Sequence, residues 1–493
     1  MVTKAKKTKS IPLTKIENPD VKILIGQEEL KPITHVEIRQ KSYLEQQSKF
    51  FNTHQTKSVD FRIEQLKKLR SAIIDYEEKI YDALYKDMGK SKETAYLTEN
   101  GFNLFEISHV IKNLKKWNKS TKVKSIWFFP MSNAFIQKEP YGKVLVISPW
   151  NYPFALTMSP LIGAIAAGNC VTLKPSEHAS HTAKVISDMI TQYFDAGYIQ
   201  VIQGGVETTQ ELLNDNFDYI CFTGSEHVGK IVMGAAAKKL IPVTLELGGK
   251  SPCIIDKNCN IEKTVARIVG GKFINAGQTC TAPDYVLVHK DVKDSVIEKL
   301  KEKITKYYGT DIKKSKDYQR VINKQHFHRL KELLSDTKIL FGGQTDEKTL
   351  YIAPTLVEVK NENSKILKEE IFGPILPIIE YSSDIEMVDY INARPKPLSL
   401  YLFTNDKSLQ QKVLNETSSG GVCINDALLQ YTNINLPFGG VGSSGMGKYH
   451  GKASFDTFSN TKSIMKNTVL LDLPSRYPPT NKNTLPMLKK LLK

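Results

Sequence analysis

The sequence predicts an α/β fold in which an open parallel sheet, covered by helices, is followed by a second α/β region. Three observations carry this expectation. From Lys143 to Leu245 short apolar runs alternate with stretches of helical length and periodicity. Val144 to Leu173 contains no charged residue, yet Pro149, Asn151, Pro153, Pro160, Gly163 and Asn169 punctuate it. It therefore divides into strand, loop, buried helix and strand, and does not form one membrane span. Finally, 493 residues with 41% hydrophobic content exceed one simple core and imply two or three domains.

Taken in order, residues 1 to 35 are Lys-rich, without sustained periodicity, and read as a peripheral extension. Glu37 to Trp117 carries apolar residues at helical spacing, such as Ile63, Leu66, Leu69 and Ile73, and predicts several amphipathic helices. Ser125 to Lys138 is aromatic-rich around a Pro-Met-Ser-Asn turn and predicts a hairpin. Strands follow at Lys143–Ser148, Cys170–Leu173, Ile199–Ile202, Tyr219–Phe222 and Val243–Leu245. Helices separate them at Phe154–Ala167, Thr182–Phe194, Glu207–Leu213 and Glu226–Lys238. The second region, Lys250 to about Asn435, has strands at Tyr285–His289, Ile375–Tyr381 and Leu400–Phe403, and Asp456–Met465 reads as a further strand. Residues 471–493 form a Pro-interrupted basic tail.

Lys and Arg number 68 against 52 Asp and Glu, a net charge of +16. Part of the excess sits at the chain ends, and no base-reading motif or stacking platform accompanies it, which argues against nucleic acid as a partner. The Lys-rich end, LPMLKKLLK, is too short for a span and reads as a solvated end, with a short amphipathic helix on an anionic membrane surface as the alternative. Six scattered cysteines, with no C-x-x-C and no tight Cys/His spacing, indicate neither a disulfide framework nor a metal site and point to a reducing, cytoplasmic setting.

Cys280 stands out because Gly277, Gln278, Thr279 and Thr281 around it make a poor apolar core segment and a plausible turn exposing a thiol. Its bland reading is a buried structural cysteine. Three loops could converge on it. Trp150 and Asn151 follow the first strand of the parallel sheet, where an asparagine amide can serve a developing oxyanion or simply stabilise its own turn. Glu246 ends an apolar strand in Leu245–Lys250; burial would raise its proton affinity toward that of a general base, and a salt bridge with Lys250 or another cation is the alternative. Glu370 and Phe372 precede a Gly-Pro turn. For dinucleotide binding, Gly440–Gly445 fits G-x-G-x-x-G but follows no strand, so it is rejected as a phosphate loop. Gly224 and Ser225, where a strand runs into a helix, are the better diphosphate site. Lys174 and Glu177, at the end of the adjacent strand, suit the two ribose hydroxyls of an adenosine.

PWNYP, KPSE, FTGS, LELGGK, GQTC, EEIFGP and PFGGVGSSGMG occur together in one order. On these motifs the chain resembles the NAD(P)-dependent aldehyde dehydrogenase superfamily from about residue 37 to about residue 475. GQTCTAPDY, GKYHGKASFDTFSNTKS and LDLPSRYPP look like its class 3 branch, of fatty and aromatic aldehydes. The resemblance implies a five-stranded cofactor domain (36–124 and 139–246), a catalytic domain (247–450) and a small oligomerisation sheet (125–138 and 451–470) that supports a homodimer. It implies NAD, with NADP also admitted, and oxidation of an aldehyde to an acid. Cys280 would be the nucleophile, Glu246 the base, and Asn151 with the Cys280 backbone N–H the oxyanion hole. Trp150 would line the cofactor cleft, Lys174 and Glu177 hold the adenosine ribose, Ser225 the diphosphate, and Glu370 with Phe372 the nicotinamide ribose. Glu226 stands where relatives often carry threonine after G-S. No metal is implied.

Overall fold

The alternation of apolar runs from Lys143 onward builds one sheet. The computed structural model describes residues 35–126, 131–361, 363–470, 472, 477–480 and 482–491. Across this sheet the strands run Gly445–Met446, Val243–Glu246, Tyr219–Thr223, Lys143–Ile147, Cys170–Lys174 and Ile199–Val201. All neighbours are parallel except the first pair, which is antiparallel. Lys143–Ile147 is buried along nearly its whole length, as a strand covered on both faces must be. The chain leaves it for Cys170–Lys174 on one side and later returns to Tyr219–Thr223 on the other. The loop beyond its carboxyl end, Ser148 to Pro153, therefore lies at the point where strand order reverses, which is where ligands of such sheets bind.

Helix Ala155–Ala167 follows that loop, and all its residues are buried, Pro160 included. It ends at Gly168, whose φ of 93° and close approach to Thr56 O, 2.6 Å from any added Cβ, exclude a side chain. Helices Val59–Asp75, Glu77–Met88, Gly101–Trp117 and Ser180–Tyr193 bury Leu66, Leu69, Ile73, Ile80, Leu84, Ile107, Val110, Ile186 and Ile190 in the core shared with this sheet. Leu66, Leu69 and Ile73 are periodic positions the sequence marks, and Ile63 packs partly buried beside them.

A seven-stranded sheet forms the second region, in the order Thr337–Phe341, Thr355–Val359, Ile375–Tyr381, Tyr285–His289, Pro252–Ile255, Ser399–Phe403 and Gly421–Ile424. It too is parallel except at its first pair. A third sheet joins Thr121–Val123, Asn133–Pro140 and Ser459–Lys466, all antiparallel.

Several expectations need correction. Residues 139–246 supply five strands of the first sheet, and a sixth not foreseen, Gly445–Met446, crosses back from the second region to pair with Val243–Glu246. That pairing needs glycine: at Gly445 a Cβ would stand 2.1 Å from Leu245 O. The predicted strand at Asp456 begins at Ser459, since Gly451–Thr457 is a helix in which Lys452 pairs with Asp456. The hairpin begins earlier, at Thr121, and residues 127–130 of it lie outside the described residues.

By chain contacts Met1–Ser42 is one unit and Tyr43–Lys493 another. Residues 1–34 of the basic extension lie outside the described residues, which begin with helix His35–Asn52. The tail is described as helix Thr484–Leu491. Among the described residues, no helix is long and apolar enough to cross a membrane.

Candidate active site

The turn before Cys280 has an unusual backbone. Asn275, Ala276 and Gly277 are three successive left-handed residues, with φ of 54°, 51° and 73°. Two of them are not glycine, and such residues cost about 1–3 kcal/mol each. Surrounding hydrogen bonds hold the turn. The Gln278 amide donates to Asn275 O and Arg320 O, each at 2.9 Å, and its oxygen accepts from Ile322 N at 3.0 Å. Asn275 N donates to Gln319 Oε1 at 2.9 Å. A Cβ on Gly277 would lie 2.2 Å from Gly373 O, so the Cys280 turn packs directly on the turn that follows Phe372.

Asn151 is 2% exposed and donates from Nδ2 to Gln278 O at 3.0 Å, which brings the first-strand loop onto the turn that presents Cys280. Tyr152 and Thr279 share a hydroxyl hydrogen bond of 2.6 Å, and Asn275 Nδ2 donates to Asn151 O at 2.9 Å. The two loops are thus tied at three points.

Glu246, 2% exposed, is buried with neither carboxylate oxygen hydrogen-bonded. Burial pushes its pKa well above the usual carboxylate range, and Lys448 opposes this in part. The predicted alternative, a salt bridge with Lys250, is not formed: Lys250 pairs with Asp284 and donates to Ile366 O at 2.7 Å and Glu369 O at 2.9 Å. The G-x-G-x-x-G segment is a brace for Glu246. Leu247 N donates to Ser444 O at 3.1 Å, and at Gly439 a Cβ would come within 2.8 Å of Glu246 Oε1.

Cys280 is half-buried, and its thiol is pushed up to about 12, first by burial and then by the Glu370 and Glu246 carboxylates. Without cofactor the thiol is therefore held neutral, a state the sequence does not reveal. Glu370 is itself raised to about 8 by burial and by Asp284, while a hydrogen bond from the Gly249 backbone lowers it. Its carboxylate rests on bare backbone, since a Cβ on Gly248 would meet Glu370 Oε2 at 2.1 Å. Rings form the wall beside Cys280. Cys280 and Tyr431 pack against the buried cluster of Leu398, Phe438 and Tyr449, and the Tyr431 and Phe438 rings meet edge to face at 5.0 Å.

The cofactor candidates fall at the carboxyl ends of the first sheet. Lys174 Nζ pairs with Glu177 Oε2 at 2.9 Å. Ser225 caps helix Glu226–Ala237, its hydroxyl accepting from Val228 N at 3.3 Å, and Gly224 N donates to Glu246 O at 3.0 Å. Glu226 turns away to Lys230, 2.8 Å distant. Trp150 lies edge to face with Phe372 at 5.4 Å and tilted to His326 at 4.9 Å, while His326 Nδ1 is buried without a partner. The sequence expectation that Lys174 ends the strand adjacent to the Gly224–Ser225 strand is corrected, since Lys143–Ile147 lies between the two; a helix amino end with exposed donors, an ionic pair at the end of a strand in the same sheet and the Trp150–Phe372 ring pair still fit a dinucleotide. Among the described residues no cluster of His, Cys, Asp and Glu suits a metal ion.

Lys90, Glu99, Asn275, Lys448, Arg329 and His326 also reach this region and escape sequence reasoning. Gly89–Asn100 reads as a charge-mixed surface stretch, and Arg329, which donates to Glu370 O at 3.2 Å and Ile371 O at 2.6 Å, sits on an amphipathic helix like many others. Only the position of Asn275 inside the Cys280 turn offered a signal.

The Aldehyde dehydrogenase family pattern matches residues 39–464 of the chain. The 4,4'-diaponeurosporen-aldehyde dehydrogenase of Staphylococcus aureus is 53% identical over 90% of this chain and 96% of that protein. Rat aldehyde dehydrogenase, dimeric NADP-preferring, is 47% identical over 87% of this chain and 95% of its own length, and rat aldehyde dehydrogenase family 3 member A2 is 46% identical over 88% and 90%. Among solved structures, the substrate-bound state of Staphylococcus aureus AldH superposes with a TM-score of 0.90 at 50% identity, covering 92% of this chain and 99% of that one.

Proposed function

We propose a mechanism from one premise: the chain belongs to the aldehyde dehydrogenase family, its relatives include family 3 members, and it is an NAD(P)-dependent oxidoreductase acting on aldehydes. Cys280, its proton released to solvent, attacks the aldehyde carbon as the thiolate, and the Asn151 amide and the Cys280 backbone N–H stabilise the negative charge that develops on oxygen. A nicotinamide held by Glu370, Phe372 and Trp150 would supply the hydride acceptor for this carbon. Cys280 then carries the acyl group as a thioester. Glu246 takes a proton from water, and the water hydrolyses the thioester to the carboxylic acid. Lys174 and Glu177 would hold the adenosine ribose, Gly224 and Ser225 the diphosphate, and Glu370, Phe372 and Trp150 the nicotinamide end.

The observation that carries this reading is Glu246: a buried acid with both oxygens unpartnered, whose charge acts on the Cys280 thiol. A structural carboxylate would normally be hydrogen-bonded or ion-paired. With a panel of aldehydes and either NAD+ or NADP+, the purified protein should form NAD(P)H and acid, and Cys280→Ala should abolish both. Turnover surviving that change, or acyl-CoA replacing acid when CoA is added, overturns the assignment. The ring wall of Tyr431, Phe438 and Tyr449 favours apolar aliphatic or aromatic aldehydes, of which the compound in the Staphylococcus aureus relative's name is one example.

The boundaries 36–124 with 139–246, 247–450, and 125–138 with 451–470 are our domain division, the edge strand Gly445–Met446 excepted. Strand Ser459–Lys466 pairs on one side only among the described residues, which supports a homodimer built on that sheet. The six free cysteines support a cytoplasmic setting.

A further inference from the structure

A fully buried ion pair stands behind the oxyanion loop. Lys90 Nζ and Glu99 Oε1 are 2.5 Å apart with both side chains at 0% exposure. Burying two charges costs several kcal/mol each, and an apolar pair of similar volume would often serve stability as well. The contacts of this pair are therefore informative. Lys90 donates to Asn151 O at 3.2 Å and lies 4.2 Å from the centre of the Tyr152 ring. The other Glu99 oxygen accepts from Phe154 N at 3.1 Å and Ala155 N at 2.7 Å, at the start of helix Ala155–Ala167. The pair thus grips Asn151, Tyr152, Phe154 and Ala155, on both sides of Pro153.

Asn275 Nδ2 shares the Asn151 carbonyl with Lys90 and also donates to Gln278 O at 3.1 Å. The backbone of Asn151 is accordingly clamped from the helix side by Lys90 and from the Cys280 side by Asn275. The leading charges on the Cys280 thiol are those of Glu370 and Glu246. The reach of Lys90 and Glu99 is to the loop.

We propose that Lys90 and Glu99 are positioning residues for the oxyanion site: the pair fixes the Asn151 backbone so that its side-chain amide stands where the aldehyde oxygen becomes charged. This deepens the proposed mechanism and rests on the oxyanion role of Asn151. A misplacement of about 1 Å in such a donor can cost on the order of 100-fold in rate.

The test is a double-mutant cycle on kcat with the holoenzyme, combining Lys90→Met/Glu99→Gln with Asn151→Ala. Changing both charges together leaves no lone buried ion. In the Asn151 background the paired change should lower kcat for hydride release by roughly 10–100-fold, with thermal unfolding still cooperative and cofactor affinity retained. In the Asn151→Ala background the same change should cost less than about threefold, because the group it positions is already gone. Equal losses in both backgrounds would mean a general structural role, and no loss in either would mean no role; each overturns the proposal. If the paired variant does not fold, Lys90→Arg, which keeps the charge but moves the donor, is put through the same cycle with the same two criteria. A rate unaffected by Asn151→Ala alone overturns the oxyanion reading itself, which separates that failure from failure of the positioning idea.

Discussion

The Cys280 thiol should be nearly unreactive in the cofactor-free protein at neutral pH. Burial, Glu370 and Glu246 move it from 9.0 to about 12. At pH 8 a thiol at 12 is ionised in about one molecule in ten thousand, against about one in ten at 9. Alkylation should then run about a thousandfold slower than for a free thiol of equal access, and rise tenfold per pH unit without levelling below about pH 10. Glu370 is raised to about 8, so it is charged over the range where the thiol titrates. Glu370→Gln should therefore shift the reactivity curve to lower pH, and bound NAD+, whose nicotinamide is cationic, should do the same. The assay is iodoacetamide labelling followed by mass spectrometry of the Cys280 peptide at each pH. A plateau below about pH 9 in cofactor-free wild type, or a Glu370→Gln curve unmoved or shifted upward, would refute the electrostatic picture.

Other consequences can be checked together. The folded protein binds the Glu370 proton up to about pH 8 and the unfolded chain only to about 4.5, so between those values the contribution of this group to stability falls as pH rises. Thermal melts across that window should show a shallower decline in Glu370→Gln; an identical slope rejects the assignment. Gly277→Ala forces a side chain against Gly373 O at φ 73° and should destabilise by about 1–3 kcal/mol or more, read by urea unfolding, whereas a neutral change would show that the turn relaxes freely. Glu177→Gln removes the carboxylate paired with Lys174 and should raise the ratio of NADP+ to NAD+ kcat/KM, since a 2′-phosphate no longer meets a like charge. An unchanged ratio would place the adenosine ribose elsewhere.

Much of the cofactor sheet is legible in the sequence because its strands are buried on both faces. Their uninterrupted apolar runs between glycine, proline and asparagine leave little alternative. Pairings between distant segments are not legible. Nothing local in Gly445–Met446 shows that it completes the sheet beside Glu246, since glycine-rich segments mark only freedom and close approach. The Gly440–Gly445 match illustrates the same limit: its residues suit a phosphate loop by pattern, yet Gly445 pairs with Glu246 in the sheet and the preceding Gly439 borders the Glu246 carboxylate. At the site, Cys280, Asn151 and Glu246 are candidates by residue type and setting, each with a bland alternative, and the family motifs give them their roles. Lys90 and Glu99 are not candidates, because a charged pair on a helical stretch reads as surface unless its burial is known. The raised Cys280 pKa is hidden for a related reason, as it depends on how far two remote carboxylates and the ring wall enclose the sulfur.

The central claim is that Cys280 carries the acyl group and Glu246 activates the water that removes it. Glu246→Gln, mixed with excess aldehyde and NAD+ and examined by intact mass spectrometry alongside NADH absorbance, tests it most directly. The account predicts one rapid equivalent of NADH per site and an acyl adduct on Cys280, followed by turnover slowed by about 100- to 10,000-fold. Wild-type steady-state turnover, or a slow reaction with no adduct on Cys280, would contradict it.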